Sequence, residues 1–155
     1  MANDKQLRLI STVFSHNGHI PPQCTCEGKN VNPPLKIENI PGGAKSLAII
    51  VEDPDASRGT FDHWVMWNIP VNAAIAEESQ PGISGTNSFG KTGYGGPCPP
   101  SGVHRYFFKL YALDKELDLA PGAGKNELLD AMKGHVLATA ELMGVYQKHK
   151  HTVAG

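Results

Sequence analysis

Two short, mainly apolar runs that are bounded by ionisable residues occupy the segment from Leu47 to Ile69. The first run ends at Asp53 and the second begins at His63, with nine residues between them. Both are rich in β-branched and aromatic residues and are bounded by proline or glycine, which is typical of β-strands. If the intervening residues form a hairpin loop, a carboxylate and an imidazole meet at one end of a sheet.

Side chains on a β-strand alternate between the two faces of the sheet. Counting by twos predicts two sets that each share a face: Leu47, Ile49 and Val51 with Asp53, and His63 with Val65, Trp67 and Ile69. Each strand is then an apolar stripe whose ionisable group lies at the rim of the core. A chance pairing is the competing interpretation, because charged residues are common at strand ends.

The run from His104 to Leu113 is the clearest predicted strand of the chain. Its first face begins with His104 and Tyr106 and continues with Phe108, Leu110 and Ala112. This third apolar stripe headed by polar groups makes chance a weaker explanation. We therefore predict one hollow at a common edge of the sheet, lined by Asp53, His63, His104 and Tyr106.

The segment from Pro81 to Gly102 contains seven glycines and four prolines. Glycine at this density is incompatible with a regular helix or strand, and the Pro99-Pro100 pair is unusual in a flexible linker. We predict a shaped loop whose backbone closely approaches another part of the chain. Residues 93–102 are expected to form one wall of the hollow, with Pro99, Pro100 and Phe61 as its apolar contacts.

Weaker patterns predict the remaining elements. Strands are expected at Leu7–Phe14 and Leu35–Ile40, and Ala73–Glu78 is ambiguous. Apolar residues recur at spacings of three and four from Leu128 to Tyr146, which predicts an amphipathic helix over Lys125–His149 that packs on the sheet. Its predicted N-cap is Asn126, Gly134 is a candidate break, and the tail Lys148–Gly155 is expected to fray.

Size and charge limit the class of protein. At 155 residues with 14 basic and 15 acidic side chains, the chain is expected to form one domain, residues 1–155, with a net charge of −1. This balance argues against a nucleic-acid surface. No apolar run reaches membrane-spanning length, and the first residues lack the apolar core of a secretory signal. We therefore expect a cytoplasmic protein.

The cysteines are three in number, Cys24, Cys26 and Cys98. An odd count implies no disulfide framework, and Cys24 and Cys26 are too close in an extended segment to pair with each other. A zinc site made of Cys24, Cys26, His16 and His19 is disfavoured because the usual Cys spacing is absent.

The predicted hollow suits a phosphate or a carboxylate. Two imidazoles, a phenol and glycine-rich backbone can supply hydrogen-bond donors, as in anion-binding nests. The competing interpretation is an enzyme that uses Asp53, His63 and His104 as metal ligands or as an acid–base group. A purely structural role for these residues is the third. We favour anion binding without catalysis, and we predict no cofactor and no metal.

At these residues the chain resembles the phosphatidylethanolamine-binding protein family, also called Raf kinase inhibitor-like proteins. The resemblance rests on motifs in a characteristic order: Asp53-Pro-Asp-Ala56, Gly59-Thr-Phe-Asp-His-Trp64, Asn68-Ile-Pro70, Gly90-Lys-Thr-Gly-Tyr94, Pro99-Pro100 and His104-Arg-Tyr106. Three further motifs are similar to those of its bacterial and archaeal branch: Cys26-Glu-Gly28, Asn32-Pro-Pro-Leu35 and Gly134-His-Val-Leu-Ala138. The similarity extends from about Phe14 to Tyr146.

This resemblance implies a mainly β fold, an antiparallel sandwich of a large and a small sheet with C-terminal helices. It also implies a pocket for phosphate or phospholipid head groups, with ligand-binding positions at Asp53, Phe61, His63, Pro99, Pro100, His104 and Tyr106. Family members regulate kinases or inhibit proteases, so a kinase or a protease is a candidate partner. A homodimer is a candidate assembly.

Two departures from the family pattern and two further expectations concern residues around the pocket. Ser57 stands where the family often has proline, and Phe61 where eukaryotic members have tryptophan. Tyr146 is expected to approach the pocket. Arg105 faces away from the pocket, so we predict that it pairs with Asp55 or Asp62 and braces the loop.

Overall fold

Two β-sheets and one α-helix make up the regular structure in the computed structural model, which describes residues 6–72 and 74–148. The elements of these ranges are β1 (Arg8–Ser11), β2 (Gly18–His19), β3 (Leu35–Glu38), β4 (Ser46–Asp53), β5 (Phe61–Ile69), β6 (Ala74–Ile75), β7 (Ile83–Ser84), β8 (His104–Leu113), α1 (Lys125–Met132) and β9 (Val136–Tyr146).

The large sheet has the strand order β2-β9-β8-β4-β5-β7, and the small sheet has the order β1-β3-β6. Strand β4 pairs with both β5 and β8 in antiparallel register, so it lies inside the sheet. One face of the large sheet packs against the small sheet, and the other packs against α1 and the loop at Leu117. The prediction of a mainly β fold with a large and a small sheet is confirmed.

The prediction of a helix over Lys125–His149 is wrong after Met132, and His149 and the rest of the tail that was expected to fray lie outside the described residues. Helix α1 ends at Met132, and Gly134 adopts a φ of 81°, a left-handed conformation that favours glycine and ends the helix. The chain then forms the eleven-residue strand β9. Its inward positions include the small residues Ala138, Ala140 and Gly144, and apolar residues occur on both faces of the strand. For both reasons the alternation with period two is not visible in the sequence.

The N-cap of α1 is Gly124 rather than the predicted Asn126. The Gly124 N–H donates to Glu127 Oε1 over 2.6 Å, which satisfies one of the free donors at the helix start.

In the ranges that the structure covers, none of the helical segments has the length and apolar character that crossing a bilayer requires.

Strand β5 departs from simple alternation, and this corrects the predicted face of His63. Register shifts interrupt its pairing with β4 between Leu47 and Ile49 and again between Val51 and Glu52. As a result Val65 and Trp67 pack on the helix side of the sheet, whereas Ile69 packs on the side of the small sheet. At the second shift His63 has no pairing partner on β4. Its side chain therefore lies on the same side of the sheet as that of its neighbour Trp64.

Candidate functional site

A cavity of about 240 Å³ opens at the edge of the large sheet where β4, β5 and β8 lie side by side. All seven predicted site residues line it: Asp53, Phe61, His63, Pro99, Pro100, His104 and Tyr106. Four further lining residues were not predicted: Ala56, Ser57, Phe89 and Cys98. We call this cavity the pocket. Its ionisable residues, Asp53, His63, His104 and Tyr106, come from strands, and its apolar wall comes mostly from loops.

Asp53 and His104 form a hydrogen-bonded pair at the floor of the pocket. His104 Nδ1 lies 2.6 Å from Asp53 Oδ2, and because a carboxylate only accepts, the imidazole donates. The second carboxylate oxygen accepts the backbone N–H of Asp55 over 2.7 Å. Both oxygens of Asp53 are therefore engaged, and His104 is left with Nε2 for an occupant.

Tyr106 is buried between the two imidazoles, with its ring centroid 5.2 Å from that of His63 and 6.4 Å from that of His104. Burial, followed by the negative charge of Asp53, raises the pKa of its hydroxyl. The group consequently keeps its proton and remains a donor. Its contact with the Asp53 carboxylate falls short of ordinary hydrogen-bond geometry, and no other described residue accepts its proton. A buried polar group in that state is rare in folded proteins.

His63 is held in one tautomer by the loop above it. Its Nδ1 lies 2.7 Å from the carbonyl oxygen of Gly95, so the proton resides on Nδ1 and Nε2 carries the lone pair in the neutral ring. Burial lowers the pKa of this imidazole, although the Gly95 carbonyl and the charge of Asp53 oppose the effect. The ring is therefore neutral near pH 7.

The lowered pKa of His63 predicts a loss of stability in acid. The unfolded imidazole titrates near 6.5, whereas the folded one takes up its proton only at lower pH. The stability contribution is thus complete above the unfolded pKa and is lost as the pH falls towards the folded pKa. We expect the free energy of unfolding, measured with urea, to fall less steeply between pH 7 and pH 5 in His63→Gln than in the unsubstituted protein. Equal pH dependence in both proteins would contradict the assignment.

Aromatic side chains enclose His63. The Phe61 ring lies 5.0 Å from the imidazole and 4.8 Å from Phe89, and Phe89 lies 5.4 Å from the imidazole. Phe89 occurs within the glycine-rich segment, where no periodic pattern singles it out. Its position depends on Asn87, whose side-chain oxygen accepts the Phe89 N–H over 2.9 Å.

The glycine-rich segment is ordered by close backbone contacts, as predicted. Gly96 approaches the segment at Cys24 and Thr25 so closely that an added Cβ would lie 2.9 Å from Thr25 Cα. The Gly96 N–H donates to Asn30 Oδ1 over 2.8 Å. Only Ile83–Ser84 within the segment forms a strand among the described residues.

A disulfide joins Cys26 to Cys98, with 5.4 Å between the two Cα atoms. The expectation that the cysteines imply no disulfide is therefore wrong. The two residues are 72 positions apart, and only the folded arrangement of the loops brings them together. The disfavoured zinc set is excluded as well, since Cys26 is already bonded. Cys24 is buried as a free thiol.

Arg105 braces the loop after β4, as predicted, and its partner is Asp55. Arg105 Nε and Nη2 donate to the two Asp55 oxygens over 2.9 and 2.8 Å, and the Arg105 backbone N–H adds a third bond of 2.9 Å. The hydrogen bonds from Arg105 hold the pKa of Asp55 at about 2. This fork fixes the backbone immediately after Asp53.

Asp62 pairs with Lys125 instead, on the opposite face of the sheet. Lys125 Nζ lies 2.9 Å from Asp62 and 3.1 Å from Glu52, and Lys109 reaches Glu52 at 2.7 Å. These charges tie the start of α1 to the strand ends that carry Asp53 and His63.

Tyr146 is absent from the residues that line the pocket. Its hydroxyl is hydrogen-bonded to Glu27, although Tyr146 pairs with His104 in the sheet. The expected approach of Tyr146 to the pocket is therefore wrong.

The donor geometry does not favour the metal interpretation. In the part of the chain that the structure describes, no three His, Cys, Asp or Glu side chains are arranged to hold a metal ion. One oxygen of Asp53 is engaged by the imidazole of His104, and Nδ1 of His63 is engaged by a carbonyl.

Comparison with known proteins places the whole site inside one family match. The family model described as phosphatidylethanolamine-binding protein matches residues 10–147. A UPF0098 protein of Methanothermobacter thermautotrophicus is 49% identical over 150 residues, which cover 92% of this chain and 99% of that protein. One from Pyrococcus horikoshii is 50% identical over 156 residues, covering 94% of this chain and 79% of its own length.

Solved structures agree with the fold. The crystal structure of a Chlamydia trachomatis protein, described as a homologue of phosphatidylethanolamine-binding protein, has a TM-score of 0.91 at 42% identity and covers 94% of this chain and 100% of that one. The structure of Escherichia coli YbcL, described as a member of the mammalian family, has a TM-score of 0.84 at 29% identity, with 93% and 99% covered.

Proposed function

Because this chain belongs to the phosphatidylethanolamine-binding protein family, we propose that its pocket binds the phosphate of a small molecule or phospholipid head group. The observation that carries the proposal is the Tyr106 hydroxyl. The residue is 1% exposed, its hydroxyl keeps its proton, and the contact of that hydroxyl with the Asp53 carboxylate falls short of ordinary hydrogen-bond geometry. An oxyanion in the pocket would accept that hydrogen bond, which removes the cost of burying an unpaired donor.

The two imidazoles supply the remaining contacts. His104 Nε2 donates when the ring carries both protons, and Asp53 then balances the ring's charge inside the protein. Neutral His63 accepts through Nε2 from a phosphate that retains one proton, and it donates once it is itself protonated. Phosphate binding is therefore expected to strengthen as the pH falls through the range in which His63 gains its proton.

The walls add selectivity for an anion that carries an apolar group. Phe61, Phe89, Pro99 and Pro100 surround the polar floor. Contact with such residues favours a phosphate ester over free phosphate by roughly 25 cal/mol for each Å² of apolar surface removed from water.

We also propose a regulatory role for the protein that contains this pocket. The family includes kinase regulators and protease inhibitors, and we propose that this chain acts on a kinase or a protease without catalysis of its own. Phe89, which lines the pocket, and Val103, which directly precedes His104, are both exposed and offer apolar contact to a partner.

Titration with inorganic phosphate and with phosphoethanolamine, followed by NMR of the histidine rings, tests the anion proposal. We expect the His63 and His104 signals to shift and saturate. His104→Ala loses a hydrogen bond to a charged group, which lowers affinity by about 10- to 100-fold. His135→Ala is the matched control, because His135 pairs with Asp114 away from the pocket.

Absence of saturable shifts in the unsubstituted protein would contradict anion binding. Equal loss of affinity in His135→Ala and His104→Ala would show that the binding is elsewhere. The amide spectrum of each variant checks that the fold is retained.

A further inference from the structure

The disulfide between Cys26 and Cys98 fastens the loop wall of the pocket to a distant segment. Cys98 lines the pocket and directly precedes Pro99 and Pro100, which belong to the same wall. Cys26 is exposed and Cys98 is half-buried, so a thiol in solution has access to the bond.

Hydrogen bonds secure this loop only as far as Pro97. The Gly95 N–H donates to the His63 carbonyl over 2.9 Å, the Gly96 N–H to Asn30, and the Cys26 N–H to the Pro97 carbonyl over 3.1 Å. From residue 98 to residue 103 the described chain makes no hydrogen bond, and sheet pairing resumes at His104. Among the described residues the disulfide is thus the cross-link of the far half of the wall, which is otherwise held by the packing of buried Pro99.

We propose that the Cys26–Cys98 disulfide is a thiol–disulfide exchange site through which a dithiol controls the pocket. The ligand part of this inference rests on the proposed function. With the bond closed, Pro99 and Pro100 are held against the polar floor. With the bond open, residues 98–103 lose their cross-link and the wall moves away from His63 and Tyr106.

The chemistry of opening is an exchange with a dithiol. One thiolate of the dithiol attacks Sγ of Cys26, which is the more exposed of the two residues, and Cys98 leaves as a thiolate that takes a proton from water. The second sulfur of the dithiol attacks the mixed disulfide and releases Cys26 as a thiol. The protein disulfide has then gained two electrons and two protons, and the dithiol has become a cyclic disulfide.

Cys24 does not compete in this exchange, although it is only two residues from Cys26. Its side chain is buried, and burial, helped by the charge of Glu77, raises the pKa of its thiol to about 11. The reactive thiolate is therefore scarce at neutral pH. Cys24→Ser is accordingly a matched control that removes a thiol without altering the cross-link.

The test compares oxidised protein with protein reduced by dithiothreitol, using NMR and inorganic phosphate. On reduction we expect the amide signals of residues 101–103 to shift and broaden while the β4 and β8 signals stay in place. If the open wall is in position about a tenth of the time, the apparent phosphate affinity falls about tenfold. Cys98→Ser should match the reduced protein under both conditions, and Cys24→Ser should match the unsubstituted protein.

Each outcome separates this inference from the proposed function. Unchanged amide signals on reduction, or changed signals with equal phosphate affinity in both states, overturn control of the pocket by the disulfide. Moving amides with no phosphate binding in either state overturn the proposed function and support release of the wall. Because chemical reduction needs no substitution, the test holds even if Cys98→Ser fails to fold.

Discussion

Gly96→Ala is expected to lower the free energy of unfolding by about 3 kcal/mol, the upper end of the usual cost of overpacking. Its new methyl group would overlap the Cys24 carbonyl oxygen and lie 2.6 Å from Asn30 Oδ1 and 2.9 Å from Thr25 Cα. Two of these three atoms are backbone, so rotation of a side chain does not relieve the overlap. The two loop segments must separate, and the pocket wall moves with them.

Gly42→Ala is the control for this substitution. A methyl group at Gly42 meets no atom within 4 Å, so we expect an unchanged or slightly higher stability. Urea unfolding of both variants measures the difference. Equal stabilities would show that the contact between the loops is looser than the structure indicates.

Asp53→Ala is expected to cost about 3 kcal/mol of stability and to lower phosphate affinity by no more than the roughly 10- to 100-fold expected for His104→Ala. The side chain is 4% exposed and accepts hydrogen bonds from His104 Nδ1 and from the Asp55 N–H. Hydrogen bonds to a charged group contribute about 1.5–3 kcal/mol each, and both donors would lose their partner. The His104 ring would also lose the contact that orients it.

Asp53→Asn tests the tautomer and orientation of His104 with a smaller change in the free energy of unfolding. The amide oxygen must still accept the Asp55 N–H, so the amide nitrogen faces His104 Nδ1 and cannot accept from it. We expect the His104 proton to move from Nδ1 to Nε2, with a smaller loss of stability than in Asp53→Ala. Nitrogen-15 NMR of the ring distinguishes the two tautomers, and a proton that stays on Nδ1 would contradict the assigned direction of the bond.

Much of the site could be predicted because strand ends are visible in a sequence. Asp53, His104 and Tyr106 stand at the ends of apolar stripes whose residues recur with a period of two. The fold brings the strands that carry these stripes together as neighbours. His63 was assigned to the pocket for an incomplete reason, since strict alternation places it with Val65. The register shift that turns it towards the pocket depends on its pairing partner β4, which no local pattern reveals.

Other features depend on contacts between distant residues and could not be predicted. The disulfide requires that positions 26 and 98 meet, and the sequence offered only an odd count of cysteines. Strand β9 was predicted as a helix because Val136, Ala140 and Met143 recur at the helical spacings of four and three, and because apolar residues lie on both faces of the strand. Phe89 has no periodic neighbours, and its place is set by a turn around Asn87.

The polar floor of the pocket is carried by three adjacent strands, β5, β4 and β8, whereas most of its rim is carried by loops. An occupant therefore meets charges and donors that are already immobile, and it gives up little conformational entropy of the protein when it enters. Substitutions in the rim can then alter which molecule enters the pocket, while the hydrogen bonds from the floor to its oxyanion stay the same. Selectivity and binding strength are in this way properties of different segments, and each can change without the other.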